Sequence, residues 1–458
     1  MMYKNVAKHI LIPFYFTIKN NRMLYRLSEL ERTQYASGKE IEKLQIERLK
    51  RLLLHSYQKV PFYRERFDSV GFRPEHFSDL KEMQSIPYLT KKDVQNQPER
   101  LIAGNYDIKE LIPDASGGST GKPTNFYKDI RRHQDRRADQ VRHDRWCGWD
   151  LGEKYINLWG AQREFDTQPS LRARLLERYV YRAYGFNAFD ISEEKVLACL
   201  DDLRKTKPTM IIAYANVAYY FAKIILKNGI DLGDLRLKGL ISSAETLTKE
   251  KRSLIEKAFL CKVLNRYGSR EVGLIASECL KQEGLHINAE NVFVEIEEKG
   301  KPVETGCAGE VIVTDFWNYG MPFIRYQMGD VGVKSSHVCS CGRGLPMVDK
   351  IKGRVSDFIV DTKGALVHGE YFTHLFYGIT EIEQFQLIQE SREKITLKIL
   401  PRNDFNPTVL NPIIQKIKLC LGENVAVNSI ICDKSFITAS GKFRFTISKI
   451  TGDYHKPE

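Results

Sequence analysis

The chain of 458 residues is too long for one ordinary hydrophobic core, so we expect a large body and at least one smaller domain. With 42% apolar and 28% charged residues and no repeat or low-complexity tract, its composition excludes a disordered or fibrous protein. The formal charge of +12 favours anionic ligands or surfaces. No zinc-finger spacing, RRM signature or aromatic-rich basic strand accompanies that charge, so a nucleic-acid partner is not expected.

The first apolar run, "ILIPFYFTI" from Ile10 to Ile18, is about half as long as the roughly 20 residues of a membrane-spanning helix. It contains Pro13 and lacks a small-residue cleavage site, so it predicts neither a transmembrane segment nor a signal peptide. We expect it to dock on the protein body, with a peripheral membrane contact as the alternative. The nine cysteines are odd in number and scattered, which favours a reducing cytoplasm over a disulfide framework.

Helices are predicted in the N-terminal segment 1–67, and the stretch from Leu27 to Phe67 is expected to be helical. Its part "EIEKLQIERLKRLLLHSY" has a 3.6-residue apolar period, and Pro61 ends the helix that this period predicts. Thr90 is the expected N-cap of a helix in "IPYLTKKDVQ". Farther along, "KDIRRHQDRRADQVRHDRWCGW" predicts a long basic helix. Its charges are mixed in sign, which predicts a solvated and partly self-paired face.

The stretch "PDASGGSTGKPT", Pro113 to Thr124, has the glycines of a phosphate-binding loop. The P-loop pattern fails, because Ser116 stands five positions before Gly121 and Pro123 follows Lys122 where a magnesium-binding hydroxyl is needed. A P-loop phosphotransferase is therefore excluded. The three glycines and the hydroxyl side chains of this stretch can still wrap a polyphosphate with backbone N–H groups and side-chain oxygens.

Downstream, apolar runs alternate with helical stretches, which predicts parallel βαβ units and an α/β fold. The tail changes to a short hairpin, a helix, two strands, a helix and a strand, which indicates a small α+β module joined near Asp357. We therefore expect a large domain at 1–356 and a small domain at 357–458. The strands are predicted in "KYINLWG", "PTMIIAYA", "LKGLISSAETL", "CKVLNRYGSREVG", "NVFVEIE" and "GEVIVTDF".

Six ordered segments, from "ASGGSTGKPT" through "ISSAETL", "NRYGSREVG", "YQMGDVG" and "KGRVSDFIV" to "FITASGKFRF", together resemble the adenylate-forming ligases. The resemblance covers roughly residues 40–450 and is to the phenylacetate-CoA ligase type, especially its CapK-like branch of capsular and surface polysaccharide gene clusters. "VPFYRERF" and "IPYLTKKDV" also resemble that branch. The resemblance to this family implies a large adenylate-forming domain with parallel or mixed sheets and flanking helices, followed by a small mobile α+β domain.

The resemblance assigns the glycine-rich loop to the β- and γ-phosphates of ATP, which must leave as pyrophosphate. "ISSAETL" would form the adenine pocket with Ser243, Ala244 and Glu245. The loop residues in the matching positions are Ser116, Gly117, Ser119, Thr120, Gly121 and Lys122.

In "NRYGSREVG", the resemblance implies that Tyr267 stacks on adenine beside Gly268 and that Glu271 binds the Mg²⁺ bridging the phosphates. Arg270 departs from the pattern, which usually has Thr or Ser there. Its cation could hold the α-phosphate or the acyl carboxylate, or it could pair with Glu271 and weaken metal binding. Both alternatives stay open at the sequence level.

Three further positions are implied by the resemblance. Asp330 in "YQMGDVG" would accept hydrogen bonds from the two ribose hydroxyls, and Arg354 would reach the nucleotide. Asp357 would be the hinge of the small domain, and Lys442 in "TASGK" the catalytic lysine that contacts both the carboxylate and the α-phosphate.

The cysteine spacing suggests a second kind of site, a metal site. Cys339 and Cys341 are two apart, so an extended segment points both to one face, and Cys279 with His286 could complete a closed tetrahedral Cys₃His zinc site. Periodicity alone favours buried free thiols. Similar proteins of the phenylacetate-CoA ligase type carry cysteines in this region, which raises the structural-zinc alternative, with His337 as a substitute ligand.

The expected reaction joins a small carboxylic or amino acid to ATP, giving an acyl-adenylate, and then transfers the acyl group to CoA or to an amine or hydroxyl of a sugar such as an amino sugar. The acyl pocket is expected near Trp159, Gln162, Tyr214 and Asn216. A degenerate nucleotide-binding scaffold is the alternative suggested by Arg270. A homodimer is implied by the resemblance alone.

Overall fold

The computed structural model describes most of the chain. Its described residues are 2–116, 124–159, 170–187, 193–335, 337–354, 358–362, 366–368, 371–372, 375–376, 379, 381–402, 405–434, 436 and 445–450. At positions 2, 159, 172, 173, 187, 354, 358, 366 and 368 only the backbone is described. Described residues up to Lys352 form one compact unit, and those from Gly353 form a second.

The N-terminal segment is helical, as predicted. Helix α4 is capped at its start by a reciprocal bond between Ser37 and Glu40, and it ends one residue before Val60. Pro61 begins the next helix, where its missing N–H costs no bond. The predicted docked segment at Ile10–Ile18 is itself helical. The helices are α1 (Met2–Val6), α2 (Ile12–Ile18), α3 (Met23–Thr33), α4 (Gly38–Lys59) and α5 (Pro61–Ser69), with a π-helical turn at Ala7–Leu11 between α1 and α2.

The remaining helices of the first unit flank its sheet. Thr90 caps α6, as predicted. The helices are α6 (Lys91–Asn96), α7 (Ile130–Trp146), α8 (Leu171–Leu175) continuing into a π-helix at Leu176–Tyr181, α9 (Glu193–Thr206), α10 (Ala215–Lys227) and α11 (Lys249–Phe259). Short 3₁₀ turns lie at Pro74–His76, Leu80–Ser85, Glu99–Leu101, Ile108–Glu110 and Gly233–Leu235.

The first unit has an α/β fold built on one large mixed sheet, which confirms the predicted class. A separate hairpin pairs β1 (Ile112–Ser116) with β2 (Thr124–Lys128). The large sheet contains β3 (Tyr155–Trp159), β4 (Ala183–Asn187), β5 (Met210–Tyr214), β6 (Gly239–Ser243), β7 (Val263–Ser269), β8 (Gly273–Glu278), β9 (Leu285–Ile287), β10 (Val292–Glu298), β11 (Lys301–Pro302), β12 (Ala308–Asp315), β13 (Tyr326–Lys334) and β14 (Met347–Arg354).

Strand order in this sheet is β11-β10-β12-β13-β14-β9-β8-β7-β6-β5-β3-β4. Strands β3 to β7 pair parallel with one another, as the βαβ pattern predicts, and β7 pairs antiparallel with β8. The prediction was wrong for "NVFVEIE" and "GEVIVTDF", because β10 and β12 pair antiparallel. A run of apolar residues shows that a strand is buried and leaves its direction open.

The charged face of α7 also departs from the sequence prediction. It is a helix as expected, but Arg132, Asp135, Asp139, Arg142 and Asp144 are buried. Arg132 donates to Asp315 at 2.8 Å and to Asp139 at 3.3 Å. The predicted solvation was therefore wrong, because these charges are buried and Arg132 also reaches Asp315 on β12. The predicted partial self-pairing is confirmed by the ion pair of Arg132 with Asp139 within α7.

The second unit contains the predicted α+β elements. A hairpin pairs β15 (Phe358–Val360) with β16 (Leu366–His368). A four-stranded sheet has the order β19-β18-β17-β20 and is covered by α12 (Leu410–Leu421). The helix predicted in "EYFTHLFYG" lies largely outside the described residues. The sheet strands are β17 (Ile382–Ser391), β18 (Lys394–Pro401), β19 (Ala426–Ile431) and β20 (Thr446–Ser448), with a 3₁₀ turn at Pro407–Val409.

Each unit has its own hydrophobic core. Three clusters of buried apolar side chains lie within the first unit, including those on the two faces of the parallel strands. The cluster of the second unit contains Leu387, Leu397 and Ile417, and all its members come from residues after Gly353. No side chain is shared between these cores in the described part of the chain.

Candidate active site

The carboxyl ends of the parallel strands bring several predicted site residues to one edge of the sheet. Tyr214 at the end of β5 lies opposite Ser243 at the end of β6, and Ser243 lies opposite Arg266 of β7. Ligands of open α/β sheets bind at this edge, because the connecting loops there leave a crevice. The backbone of Trp159 ends β3 at the same edge, whereas Gln162 lies outside the described residues.

The loop after β6 is fixed to the start of α10. Ala244 has φ +67°, which places a non-glycine residue in the left-handed region. The Glu245 carboxylate then accepts a hydrogen bond from the backbone N–H of Asn216 at 2.8 Å. A carboxylate at a helix N-terminus satisfies a free N–H and interacts well with the helix dipole. Glu245 thus sets the position of the segment predicted to face adenine.

Tyr267 and Asp330 come together although 63 residues separate them. The Tyr267 hydroxyl donates to Asp330 Oδ2 at 2.8 Å. Four steps separate β7 from β13 in the sheet, which would be about 19 Å in a flat sheet. The contact therefore requires that the strands from β7 to β13 curl strongly. The predicted adenine-stacking ring and the predicted ribose acceptor line one concave site.

Gly268 permits the close approach of the strands beside Tyr267. A Cβ at this position would lie 2.5 Å from the carbonyl oxygen of Gly273. The β7–β8 register shifts between Tyr267 and Gly268, which marks a bulge. Gly268 is therefore required by the backbone that aims the Tyr267 ring.

The turn after β7 is held from behind by α7. The Arg136 guanidinium donates to the carbonyl oxygens of Arg270, at 2.7 Å, and of Glu271. Arg132 donates to the next carbonyl, that of Val272. Burial is the main cause that lowers the pKa of Arg136, to about 10, so the side chain stays protonated at neutral pH. Two arginines thus fix the backbone that carries Glu271.

Arg270 forms an ion pair with Asp114 of β1 at 3.4 Å. Asp114 also binds Lys128 across the hairpin. Burial by itself raises the pKa of Asp114, but the hydrogen bond and charge of Lys128 outweigh it, so the pKa is lowered and the carboxylate stays charged. Arg270 is 39% exposed, and Glu271 is buried. Within the described ion pairs, the cation of Arg270 is directed to β1 rather than to Glu271.

The hairpin β1–β2 brackets the predicted phosphate loop. Ser116 ends β1 opposite Thr124, and the loop residues Gly117, Ser119, Thr120, Gly121 and Lys122 lie outside the described residues. Since Asp114 contacts Arg270, this end of the hairpin lies beside the turn that carries Glu271.

The predicted residues of the small domain fall largely outside the described part. Lys442 and the hinge residue Asp357 are not described, and Arg354 is described only as the last backbone position of β14. Their roles stay predictions.

Comparison with known proteins supports the same assignment. Residues 359–449 match the family described as the CapK C-terminal domain. The phenylacetate-coenzyme A ligase of Thermus thermophilus is 26% identical over 77% of this chain and 79% of its own length. Protein CapK of Staphylococcus aureus is 27% identical over 80% of each chain. A crystal structure of 2-hydroxyisobutyryl-CoA ligase in the postadenylation state superposes with a TM-score of 0.69, at 17% identity and 92% coverage of both chains.

The chain is a homologue of the phenylacetate-CoA ligases and CapK, with the fold of the adenylate-forming ligases.

A second cluster of side chains shares no residue with the candidate nucleotide site. Cys279 follows β8, His286 is in β9, and Cys339 and Cys341 precede β14. Their ligand atoms all lie within 4.8 Å of one another, with Cys279 Sγ 3.6 Å from Cys339 Sγ and Cys341 Sγ 3.4 Å from His286 Nε2. His337, the substitute ligand, instead contacts the Glu283 carbonyl and Asp349.

Sequence reasoning missed the positioning residues of the site. In the sequence, Arg132 and Arg136 look like members of a basic helix face, and Asp114 looks like a turn residue before the glycines. Their partners are carbonyl groups and charges more than a hundred residues away, which no local pattern can reveal.

Proposed function

We propose that this AMP-forming ligase homologue activates a small carboxylic or amino acid as an acyl-adenylate and then transfers the acyl group to CoA or to an amine or hydroxyl of a sugar. The observation that carries the proposal is the contact of Tyr267 with Asp330 at the edge where Ser243 ends β6. An aromatic face and a carboxylate with two acceptor oxygens suit a purine base and a cis-diol.

In the first step, a carboxylate oxygen of the acid bonds to the α-phosphorus of ATP while the bond to pyrophosphate breaks. The glycine-rich loop between β1 and β2 would hold the departing phosphates, and Glu271 would hold Mg²⁺. Lys442 would neutralise the charge that grows on the α-phosphate. In the second step, the nucleophile bonds to the acyl carbon and AMP leaves with the electron pair of the anhydride bond.

Arg270 has a defined position in this scheme. Its ion pair with Asp114 of β1 supports a role beside the predicted phosphate loop, where the cation would attract the α-phosphate or the acyl carboxylate. We therefore assign it a catalytic role as a cation for these anions. Asp114, which also binds Lys128, would be its positioning residue.

The small domain would turn about Asp357 between the two steps and present Lys442 for the first. 2-Hydroxyisobutyryl-CoA ligase, which shares the fold, was crystallised in the postadenylation state with R3-HIB-AMP. Relatives named phenylacetate-coenzyme A ligase favour CoA as the acceptor. The resemblance of the sequence motifs to the polysaccharide-cluster branch is the reason for keeping a sugar as the alternative acceptor.

The deciding experiment is acid-dependent ATP/pyrophosphate exchange across aryl, fatty, hydroxy and amino acids, with Lys442→Ala beside the exposed-lysine control Lys434→Ala. Exchange with one acid class that is lost in Lys442→Ala alone supports adenylation and names the substrate. Nucleotide binding without exchange for any acid would instead favour a non-catalytic scaffold. AMP release with CoA or with amino sugars then identifies the acceptor.

We also propose that Cys279, His286, Cys339 and Cys341 hold a structural zinc ion. Tetrahedral zinc with Zn–S bonds of about 2.3 Å separates two sulfur ligands by about 3.8 Å. The Cys279 and Cys339 sulfurs are 3.6 Å apart, so the cluster has the required size. Four protein ligands leave no open position for a substrate, so the metal would join the β8–β9 hairpin to the segment before β14.

Metal analysis of the purified chain by mass spectrometry tests the zinc site. We expect about one zinc ion per chain, lost in the double variant Cys339→Ser/Cys341→Ser and retained in Cys432→Ser. The double variant should also unfold at a lower temperature. A chain without bound zinc whose melting temperature is the same in both variants would show that these are free thiols.

A further inference from the structure

Two neighbouring helices of the first unit leave an apolar face exposed. One is the continuous helix from Met2 to Ile18, and the other runs from Leu171 to Tyr181. On each, large apolar side chains recur every four residues, so they form one stripe per helix. The exposed fractions are Ile10 59%, Phe14 63%, Ile18 65%, Leu171 73%, Leu175 49% and Tyr179 49%.

The two helices are in direct contact, so the stripes belong to one surface. The Tyr3 hydroxyl donates to the carbonyl oxygen of Tyr179 at 2.9 Å. The ring of Tyr181 packs edge-on against Tyr15 and Phe16, with centroids 6.0 and 6.3 Å away. The opposite side of the first helix buries Ile12 and Phe16 in the core. The helix is therefore anchored to the core by its buried side, and its apolar stripe on the other side stays exposed after folding.

The surroundings of this surface are strongly basic. Residues 2–28 contain five Lys and Arg and no acidic residue. Residues 170–187 contain four Arg and only Glu177 as an acid. Lys4 and Lys8 pair with Glu153 and Asp150. Lys19, Arg174 and Arg178 lie exposed beside the stripes.

We propose that this basic-apolar face, formed by residues 2–22 and 171–182, docks on the surface of an anionic lipid membrane. Apolar side chains on one face of a helix insert at the boundary of headgroups and acyl chains, and basic side chains beside them attract anionic lipids. Within the part of the chain that the structure describes, no helix is long and apolar enough to cross a membrane. In this proposal the face lies on the membrane surface.

Charge favours a membrane over a second copy of the chain. In a twofold dimer the same surface would face itself, and its arginines and lysines would meet one another. Glu177 is the one acid within these two segments that could offset them. An anionic lipid surface complements both the stripes and their basic rim.

Vesicle flotation of the full-length chain tests the proposal. The probes are phosphatidylcholine vesicles with and without phosphatidylglycerol, at low and high salt. The test variant is Phe14→Ser/Leu171→Ser, and the control is Leu419→Ser, which removes an equally exposed leucine (74%) in the second unit. Melting temperatures and adenylation without lipid show that both variants are folded.

We expect binding that requires phosphatidylglycerol, weakens with salt, and falls at least about tenfold in Phe14→Ser/Leu171→Ser but not in Leu419→Ser. No binding to anionic vesicles, or equal binding by the test variant and the control, would overturn the proposal. Self-association in sedimentation that the test variant abolishes, together with absent vesicle binding, would assign the face to a dimer instead.

Discussion

The hydrogen bond between Tyr267 and Asp330 gives the most direct test at the scale of one residue. Tyr267→Phe keeps the ring and removes the hydroxyl that donates to Asp330. A bond to a charged group at a partly solvated site contributes about 1 kcal/mol, so we expect the KM for ATP in pyrophosphate exchange to rise about fivefold.

The matched control is Tyr25→Phe, which removes the hydroxyl of an exposed tyrosine in α3. An unchanged KM in Tyr267→Phe would mean that Asp330 binds nucleotide without help from the tyrosine. A larger loss in Tyr267→Ala than in Tyr267→Phe would separate the role of the ring from that of the hydroxyl.

Arg136 offers a second residue-scale test, because both of its hydrogen bonds among the described residues go to backbone carbonyl groups of the turn. Arg136→Met removes both hydrogen bonds to the carbonyl groups of Arg270 and Glu271. We expect kcat/KM to fall about tenfold, and the Mg²⁺ concentration for half-maximal exchange to rise, because Glu271 loses its fixed position.

The exposed neighbour Arg131→Met is the control for Arg136→Met. A merely structural role would lower the melting temperature and leave the Mg²⁺ dependence unchanged. That result would contradict the positioning role.

At the scale of elements, the β7–β8 hairpin depends on Gly268. In Gly268→Ala the new Cβ would meet the Gly273 carbonyl at 2.5 Å, so the strands must separate. We expect a loss of stability of roughly 1–3 kcal/mol and weaker nucleotide binding, since Tyr267 moves with the strand. Gly185→Ala in β4, where no atom lies within 4 Å, should leave both unchanged. Thermal unfolding and nucleotide titration measure the two effects.

The elements also show what the sequence can and cannot predict. The capped helix after Ser37 and the parallel strands ending at Tyr214 and Ser243 follow from local caps and apolar runs. The antiparallel pairing of β10 and β12 could not be predicted, because a run of apolar residues indicates a buried strand but not whether that strand pairs parallel or antiparallel. The burial of Arg132 could not be predicted either, because its partner Asp315 lies 183 positions away.

The candidate site also has features that the sequence predicts and features that it does not. The order of the motifs predicted which residues face the nucleotide, and the structure brings Tyr267 and Asp330 within hydrogen-bond distance. The curl of the sheet that allows this contact depends on packing between distant strands. Asp114, which holds Arg270, has no signature in its own segment.

At the scale of the whole molecule, the separate cores predict that the first unit folds alone. A chain of residues 1–352 keeps the three clusters of buried side chains and loses Lys442 with the second unit. We expect one cooperative unfolding transition and retained nucleotide binding, with exchange reduced by at least about a hundredfold. Calorimetry and exchange assays check these outcomes. Exchange at the full-length rate would show that the small domain is dispensable for adenylation.

The curled part of the sheet has one more consequence. Tyr267 and Asp330 belong to strands that are connected in the sheet through β8, β9 and β14, so a nucleotide that fills the space between them would also tie the two ends of this arc. The intervening strands then lose freedom to flatten along their whole length. Hydrogen–deuterium exchange of their backbone amides should therefore slow when nucleotide binds, and the protection should spread along the arc instead of stopping at the contacting residues.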